Sequence, residues 1–246
     1  MDPSKDPVIS VVAPAFNEAE GIADVVQKWI SVLDERGEPW EIVITDDGSS
    51  DGTSQALAGL SDSRVTTLRF EKNRGYGPAL SSAIREAKGE LIVTIDSDGQ
   101  FDLNDAGGLI EMLRRENLDM VTGYRRKKED TFMKVAGDRV LNLLVRLGFG
   151  LDLKDTNCAL KVLTKDLSTK IRLEAVSFPT PTEMVVKARR ADAKIGEHPV
   201  EHRARLAGKS KLSALGSGFD FLTFLVYLKL QGLLQSWNII RKEENG

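Results

Sequence analysis

The sequence predicts an α/β fold in which a mostly parallel sheet is flanked by helices. Short apolar runs rich in β-branched residues alternate with runs whose apolar residues recur at helical spacing. Residues 8–95 contain four such strands separated by helices, and this series requires crossover connections between parallel strands. A chain of 246 residues is long enough to form one large domain of this type with a substantial core.

The predicted elements of the first half end at turn-forming residues. The first strand, residues 8–13, closes at Pro14, and the helix from Ile22 to Leu33 ends before Gly37 and Pro39. Further strands are predicted at 41–45, 64–69, 90–95 and 119–122, with helices at 79–88 and 105–115.

The second half is predicted to end in a long apolar tail. A helix at 132–147, a strand at 155–163, a helix from 179 to 191 and a strand at 194–201 lead to a basic loop at 202–213. The tail, residues 219–234, is short for a membrane span, which needs about 20 apolar residues. We expect it to pack on the domain, to dock a partner helix or to lie at a membrane interface. The predicted division is a domain at 1–213 and an apolar helix with a polar tail at 214–246.

The composition excludes several classes of function. A net charge of −3 and a pI near 5.6 argue against general nucleic-acid binding. The single cysteine, Cys158, excludes an internal disulfide bond. The polar N-terminus lacks the apolar region of a signal peptide, so we expect a cytoplasmic protein, with peripheral contact at the cytoplasmic face of a membrane through its tail.

The acidic end of the fourth strand is the strongest indication of chemistry. The apolar run at residues 92–95 stops at Asp96 and Asp98, and Gln100 follows. Ligands of open α/β sheets bind beyond the carboxyl ends of the strands, which is where these carboxylates lie. Hard oxygen ligands in this arrangement suit Mg²⁺ or Mn²⁺ held together with substrate phosphates. The simpler interpretation is an Asp-rich turn after a strand.

Three further segments with polar residues or glycines follow predicted strands. Residues 46–53, DDGSSDGT, form a second acidic loop, which would otherwise be a solvated turn that caps the next helix. Glycines at 75 and 77 precede a helix and could let backbone amides approach a phosphate, although such a pair alone is weak evidence. The basic run at 123–128, GYRRKK, follows a strand end where an anionic ligand would be close.

These motifs resemble those of family 2 glycosyltransferases with the GT-A fold. The resemblance is carried by PAFNE at 14–18, DDGSSDGT at 46–53 and DSDGQ at 96–100. The second half resembles the dolichyl-phosphate mannose synthase branch at residues 123–125, at Arg139 with Asn142, and at 155–161, 178–184 and 205–211. It departs from that branch at Lys161, where the family usually has Arg, and at residues 157–159.

The resemblance implies an inverting, metal-dependent transfer of a hexose, mannose or glucose, from a GDP- or UDP-linked sugar to a polyprenyl phosphate. It implies that the nucleotide-sugar donor is bound by Pro14, Ala15, Asn17, Glu18, Asp47, Asp96, Ser97, Asp98 and Lys211. It implies that Asp96, Asp98 and Gln100 hold Mg²⁺ or Mn²⁺. It implies that the acceptor phosphate is bound by Arg125, Arg139 and Ser210, and that the catalytic residues are Asp98, Arg125, Arg139 and Arg205.

The chemistry of the acceptor separates this hypothesis from its alternatives. A phosphate monoester is largely ionised at pH 7, so it needs positioning and charge neutralisation but no general base. If the acceptor were instead a sugar hydroxyl of a polysaccharide or glycolipid, Glu183 would be the candidate base; its structural alternative is a carboxylate at a helix N-terminus. The absence of a glycine-rich first turn argues against a dinucleotide-binding oxidoreductase, and the intact acidic motif argues against a non-catalytic binding module.

Overall fold

The computed structural model describes residues 6–126, 132–177, 179–203 and 214–236, without the side chains of 132–139, 214–220 and 235–236. The strands in chain order are β1 Ile9–Ala15, β2 Trp40–Asp46, β3 Val65–Arg69, β4 Leu91–Thr94, β5 Met120–Arg125, β6 Lys161–Thr164 and β7 Ile195–Val200. The helices are α1 Ile22–Arg36, α2 Thr53–Ala58, α3 Tyr76–Glu86, α4 Asp105–Glu116, α5 Phe132–Phe149, α6 Lys165–Lys170, α7 Thr180–Arg190 and α8 Ala214–Ser236.

The strands form one sheet in the order β3-β2-β1-β4-β6-β5-β7. All pairings are parallel except those of β6, which runs antiparallel to both β4 and β5. The prediction of a mostly parallel α/β sheet flanked by helices is therefore confirmed.

Alternate residues of the central strands face two separate apolar cores. Val11 and Val93 contribute to one core, which α1 and α4 cover with side chains such as Trp29 and Leu109. Their neighbours in sequence, Val12 and Ile92, contribute to the other core, which α3, α7 and α8 cover. The three-layer arrangement leaves the carboxyl ends of β1, β2 and β4 as the place where polar loops can gather.

Several element boundaries differ from the sequence prediction. The strand predicted at 155–163 is shorter, because only Lys161–Thr164 form the strand and the backbone N–H groups of Asp155 and Thr156 donate to the side chains of Glu197 and Asn142 instead. Helix α3 begins at Tyr76 rather than at residue 79, and the six-residue α6 is not predicted. Residues 204–213 of the predicted basic loop lie outside the described part of the chain.

Helix α8 packs on the domain with one side and exposes apolar residues on another. Phe221, Leu225 and Leu228 are buried in the second core. The apolar surface, as we name it, consists of exposed side chains on α8 and the neighbouring α5: Val140, Leu143, Leu144, Leu147, Leu222, Val226, Leu230, Leu233 and Leu234. Among the described residues, no helix combines the length and the apolarity needed to cross a bilayer.

Candidate active site at the carboxyl ends of the strands

The loop after β1 is fastened to the acidic loop after β2. The backbone N–H of Asn17 donates to Ser49 Oγ at 2.9 Å, and that of Glu18 donates to Thr53 Oγ1 at 2.9 Å. In return, Asn17 Oδ1 accepts the N–H of Ser50 at 2.9 Å. Two loops predicted to bind the donor therefore form one hydrogen-bonded unit, in which Asn17 has a positive φ of 54°.

The two adjacent aspartates of the acidic loop have different partners. Asp46 is fully buried, and its Oδ1 accepts the backbone N–H of Ser49, which fixes the turn. Asp47 accepts the N–H of Arg74 at 2.7 Å and that of Gly75 at 2.9 Å, so it joins the acidic loop to the start of α3. Burial raises the pKa of Asp47, although these two N–H donors act in the opposite direction.

Ser97 joins the ends of β4 and β1. Its buried hydroxyl donates to the carbonyl oxygen of Pro14 at 2.8 Å. The carbonyl of the next residue, Ala15, accepts the N–H of Asp47 at 2.8 Å. The structure thus brings Pro14, Ala15, Asp47 and Ser97 together, and it gives Ser97 a contact that holds the two strand ends in register.

The acidic motif after β4 presents the oxygen ligands that were predicted for a metal. Asp98 Oδ1 accepts the backbone N–H of Gln100 at 3.0 Å, and the Gln100 side-chain amide donates to the carbonyl of Arg203 at 3.2 Å. Together with Asp96, these residues carry two carboxylates and one amide, which are donor types that suit a hard divalent cation, and their role as metal ligands stays a prediction. Within the described residues, no three His, Cys, Asp or Glu side chains converge as a metal site.

Tyr76 belongs to this site, although the sequence analysis assigned it no role. Its hydroxyl donates to Asp96 Oδ1 at 2.9 Å. Burial, together with the neighbouring Asp96 charge, raises the pKa of Tyr76 well above its ordinary value. The available signal was an aromatic hydroxyl between Gly75 and Gly77 in a loop that follows a strand.

On the other side of the site, Arg125 is held by a carboxylate. Its Nε donates to Asp155 Oδ2 at 2.6 Å and its Nη2 donates to Asp155 Oδ1 at 2.9 Å, a two-pronged ion pair at the end of β5. The backbone N–H groups of Lys154 and Asp155 donate in turn to Glu197 of β7. This predicted phosphate ligand is therefore fixed in place by a buried partner from a distant part of the sequence.

Residues 154–156 also contact α5 and β6. Asn142 Oδ1 accepts the Thr156 hydroxyl at 2.9 Å, and Asn142 Nδ2 donates to the Lys154 carbonyl at 2.6 Å. From β6, the fully buried Lys161 donates to Thr122 Oγ1 at 2.8 Å and to the Thr156 carbonyl at 3.3 Å. Burial lowers the pKa of Lys161 to about 8.

Glu183, the candidate base of the hydroxyl-acceptor alternative, is a buried structural carboxylate. Its two oxygens accept the backbone N–H groups of Glu174 at 2.8 Å and Ala175 at 2.9 Å. Lys187 lies 3.1 Å from Glu183 Oε1, and the side chain of Glu183 has no exposed surface. Burial raises its pKa against the opposing charge of Lys187.

The segment that Glu183 holds lies between α3 and α8. We name residues 174–177 the bridging segment. The N–H of Gly77 donates to the carbonyl of Val176, and a Cβ at Gly77 would lie only 1.8 Å from the Ala175 carbonyl oxygen. At the other side, the Glu174 carboxylate accepts Gln231 Nε2 of α8 at 3.2 Å. The bridging segment therefore contacts both the start of α3 and the C-terminal helix.

The remaining predicted site residues lie outside the described part of the structure. These are Arg205, Ser210, Lys211 and the side chain of Arg139, whose backbone belongs to α5. Their roles stay predictions. Of the donor residues, all but Lys211 are described, and they lie at the end of β1 and in the loops that follow β1, β2 and β4.

The chain is similar to known glycosyl-transferring proteins in sequence and in fold. An undecaprenyl-phosphate 4-deoxy-4-formamido-L-arabinose transferase of Salmonella paratyphi B is 29% identical over 237 residues, which cover 93% of this chain and 71% of the relative. The enzyme of Salmonella newport matches to the same extent. A glucosyl-3-phosphoglycerate synthase from Mycobacterium tuberculosis, in complex with Mn²⁺, UDP and phosphoglyceric acid, has a TM-score of 0.72 at 21% identity and covers 91% of this chain and 78% of its own.

The structural likeness supports the GT-A-like fold, and the sequence match gives the family. Residues 10–154, more than half of the chain, match Glycosyl transferase family 2. This match includes the three acidic and polar motifs from which the family was predicted. The chain therefore belongs to Glycosyl transferase family 2.

Proposed function

We propose that this protein transfers a sugar from a nucleotide-diphosphate sugar to a polyprenyl phosphate, with inversion and with the help of Mg²⁺ or Mn²⁺. The curated relatives named above are undecaprenyl-phosphate transferases, which supports the class of acceptor. The structural relative in complex with Mn²⁺ and UDP supports a metal and a nucleotide donor. The curated relatives are transferases of an arabinose derivative. Mannose or glucose on GDP or UDP is therefore expected from the sequence resemblance alone.

The environment of Glu183 is the observation that supports a phosphate, rather than a hydroxyl, as the acceptor. A hydroxyl acceptor would need a general base within reach, and both oxygens of Glu183 are already bound to backbone N–H groups of the bridging segment. A phosphate acceptor is ionised at neutral pH and needs no base. The burial and the two hydrogen bonds of the Glu183 carboxylate therefore favour a lipid phosphate, rather than the hydroxyl of a glycan, as the acceptor.

The donor half, as we name the loops after β1, β2 and β4, would orient the nucleotide-sugar donor. The fastened loops after β1 and β2, which carry Asn17, Glu18 and Asp47, would hold the nucleoside part of the donor. Asp96, Asp98 and Gln100 would hold the divalent cation, which when bound neutralises charge on the departing diphosphate. Asp98 also accepts the N–H of Gln100, so these residues are held close together before any ligand arrives.

The acceptor half, as we name Arg125 with residues 154–156 and the predicted phosphate ligands, would supply positive charge to the acceptor phosphate. Arg125, fixed by Asp155, would face the acceptor phosphate together with Arg139 and Ser210, while Arg205 and Lys211 would add charge near the diphosphate. The pairing with Asp155 uses the Nε and Nη2 edge of the guanidinium and fixes its orientation, so a phosphate would be recognised by the other edge of this planar group.

The apolar surface supports a peripheral position at a membrane, where a polyprenyl phosphate is found. Leucines and valines on α5 and α8 are exposed over neighbouring helices, and a bilayer or a small membrane partner would cover them. In this proposal residues 1–213 form the catalytic domain, and residues 214–246 form the attached helix and tail that face the membrane or partner.

Radiolabelled donors test the proposal directly. The full chain is incubated with Mn²⁺ and labelled UDP-glucose or GDP-mannose, together with a short polyprenyl phosphate or the matching polyprenyl alcohol. We expect label to enter the organic phase with the phosphate only. Label on the alcohol, or label transferred only to an added glycan, would contradict a phosphate acceptor.

A further inference from the structure

Tyr76 is the first residue of α3, and its hydroxyl reaches the acidic motif of β4. The O–H donates to Asp96 Oδ1 at 2.9 Å across 20 residues of sequence. The three tyrosines of the chain are Tyr76, Tyr124 and Tyr227. Tyr227 donates its hydroxyl to Glu174 at 3.4 Å on an exposed part of α8 and so provides a matched comparison.

The backbone on both sides of Tyr76 is held in place. On the N-terminal side, Asp47 accepts the N–H groups of Arg74 and Gly75, and Gly75 has a φ of 100°. On the C-terminal side, Gly77 is packed so closely against the bridging segment that any side chain would overlap the Ala175 carbonyl. The phenol therefore extends from a fixed anchor, and its contact with Asp96 does not depend on a mobile loop.

The chemistry of a phenol suits a partner that must remain charged. A Lys or Arg at this place would form an ion pair and neutralise the carboxylate, whereas a neutral O–H orients one oxygen and leaves the negative charge. Hydrogen bonds to charged groups are also stronger than those between neutral groups. The Tyr76 hydroxyl thus orients the Asp96 carboxylate without neutralising its charge.

We propose that Tyr76 is a positioning residue that holds the Asp96 carboxylate in the orientation that binds the donor nucleotide and its metal ion. This inference rests on the proposed function, because it takes the residues around Asp96 as the donor site. Tyr76 acts only through Asp96 and touches no reacting atom. Its effect is therefore on the affinity of the enzyme for the nucleotide and the cation.

A double-mutant cycle on donor affinity tests this. UDP and GDP are each titrated into the full chain with Mn²⁺ by calorimetry, and the nucleotide that binds the wild type more tightly is used for all variants. Tyr76→Phe keeps the ring and is expected to weaken binding about tenfold, as the loss of one hydrogen bond to a charged group predicts. In an Asp96→Ala background the same change should weaken binding less than about twofold, because the hydroxyl has lost its partner.

Direct Mn²⁺ binding, followed by electron paramagnetic resonance, gives a readout that a merely structural role would not change. Tyr76→Phe should weaken it while the melting temperature stays close to that of the wild type. Tyr227→Phe is the matched control and should bind nucleotide and Mn²⁺ as the wild type does. Incorporation of 4-aminophenylalanine at position 76, which keeps an N–H donor, should restore affinity.

The outcomes separate this inference from the proposed function. If Asp96→Ala weakens binding and Tyr76→Phe does not, the donor site stands and the role of Tyr76 is refuted. If the two changes are additive, Tyr76 acts independently of Asp96 and the inference also fails. If Asp96→Ala binds like the wild type, the donor site itself is wrongly placed and both proposals fall.

Discussion

The donor half and the acceptor half of the site are stabilised in different ways. In the donor half, short loops after β1 and β2 are joined by hydrogen bonds between backbone N–H groups and side chains such as Ser49, Thr53 and Asp47. In the acceptor half, side chains from separate elements converge on residues 154–156, including the pair between Arg125 and Asp155. Backbone N–H groups of the loops that follow strands therefore define the first half, and pairs of side chains mainly define the second.

This difference predicts where single substitutions act most strongly on catalysis. Asp98→Ala removes a carboxylate from the proposed metal site and should lower the transfer rate about a thousandfold, equivalent to several kcal/mol of transition-state stabilisation. EDTA should abolish transfer by the wild type, and Mg²⁺ or Mn²⁺ should restore it. Asp24→Ala, on the exposed side of α1, is the control and should retain full activity. Full activity of Asp98→Ala would contradict the metal assignment.

The proposed position at a membrane can be tested through the apolar surface. Replacing both Leu222 and Leu230 of α8 by Glu should lower binding to phosphatidylethanolamine and phosphatidylglycerol vesicles by more than about a hundredfold, since each leucine contributes roughly 1.5–3 kcal/mol when buried. Flotation of the full chain with vesicles measures this. Gln27→Glu combined with Lys28→Gln, both exposed on α1, changes the net charge by the same two units elsewhere and should not alter flotation. If the wild type does not float, the membrane position is wrong.

The buried lysine beneath residues 154–156 should give the acceptor half a distinctive pH dependence. Lys161 has a pKa of about 8 in the folded chain and an ordinary value of 10.5. Between these values the unfolded chain binds the extra proton, so stability rises with pH across this window by up to about 3 kcal/mol. Asp155, Arg125, Cys158 and Glu197 are the charged or titratable groups around it.

Urea unfolding at pH 7.5 and 9.5 measures this effect. Lys161→Met should lack the rise in stability that the wild type shows between the two pH values. Lys28→Met, at an exposed site on α1, should keep it. A rise of equal size in the Lys161→Met chain would show that other groups cause the pH dependence.

The smallest effect on catalysis is expected at Glu183. Glu183→Gln leaves one backbone N–H of the bridging segment facing an amide nitrogen and should lower the free energy of unfolding by about 1–3 kcal/mol. Transfer per folded molecule should fall less than tenfold, whereas general bases contribute about 10²–10⁴-fold. Arg125→Lys, which loses the planar fork, should reduce transfer more. A folded but inactive Glu183→Gln beside an active Arg125→Lys would support a hydroxyl acceptor instead.

The parts of the fold that could be predicted are those with a local signal. The apolar periodicity of α1 and the apolar run of β4 specify an element within a few residues, and the polar residues at the strand ends predicted the donor half. The direction of β6 could not be predicted, because a strand of four residues contains no sequence signal that distinguishes a parallel from an antiparallel pairing. Helix α6, with six residues, is too short for a helical period to appear.

The acceptor half was less predictable because its contacts are made by single buried side chains that belong to no local sequence motif. Lysine is rarely buried, and nothing near Lys161 in the sequence indicates that Thr122 will receive its ammonium group. Glu183 looked like a base at the start of a helix, yet its role depends on backbone N–H groups eight and nine residues earlier that only the folded loop presents. The role of Tyr76 likewise depends on a partner 20 residues away.

The reversed direction of β6 has a consequence for how this site can diversify. In an all-parallel sheet only the loops that leave strands reach the catalytic end. Because Lys161 pairs with Thr94 at the carboxyl end of β4, the chain arrives at that end before entering β6 and brings Asp155 and Thr156 with it. An incoming loop has its own length and sequence, independent of the loops that leave β1, β2 and β4. Insertions before β6 could therefore change the acceptor while the donor loops stay intact.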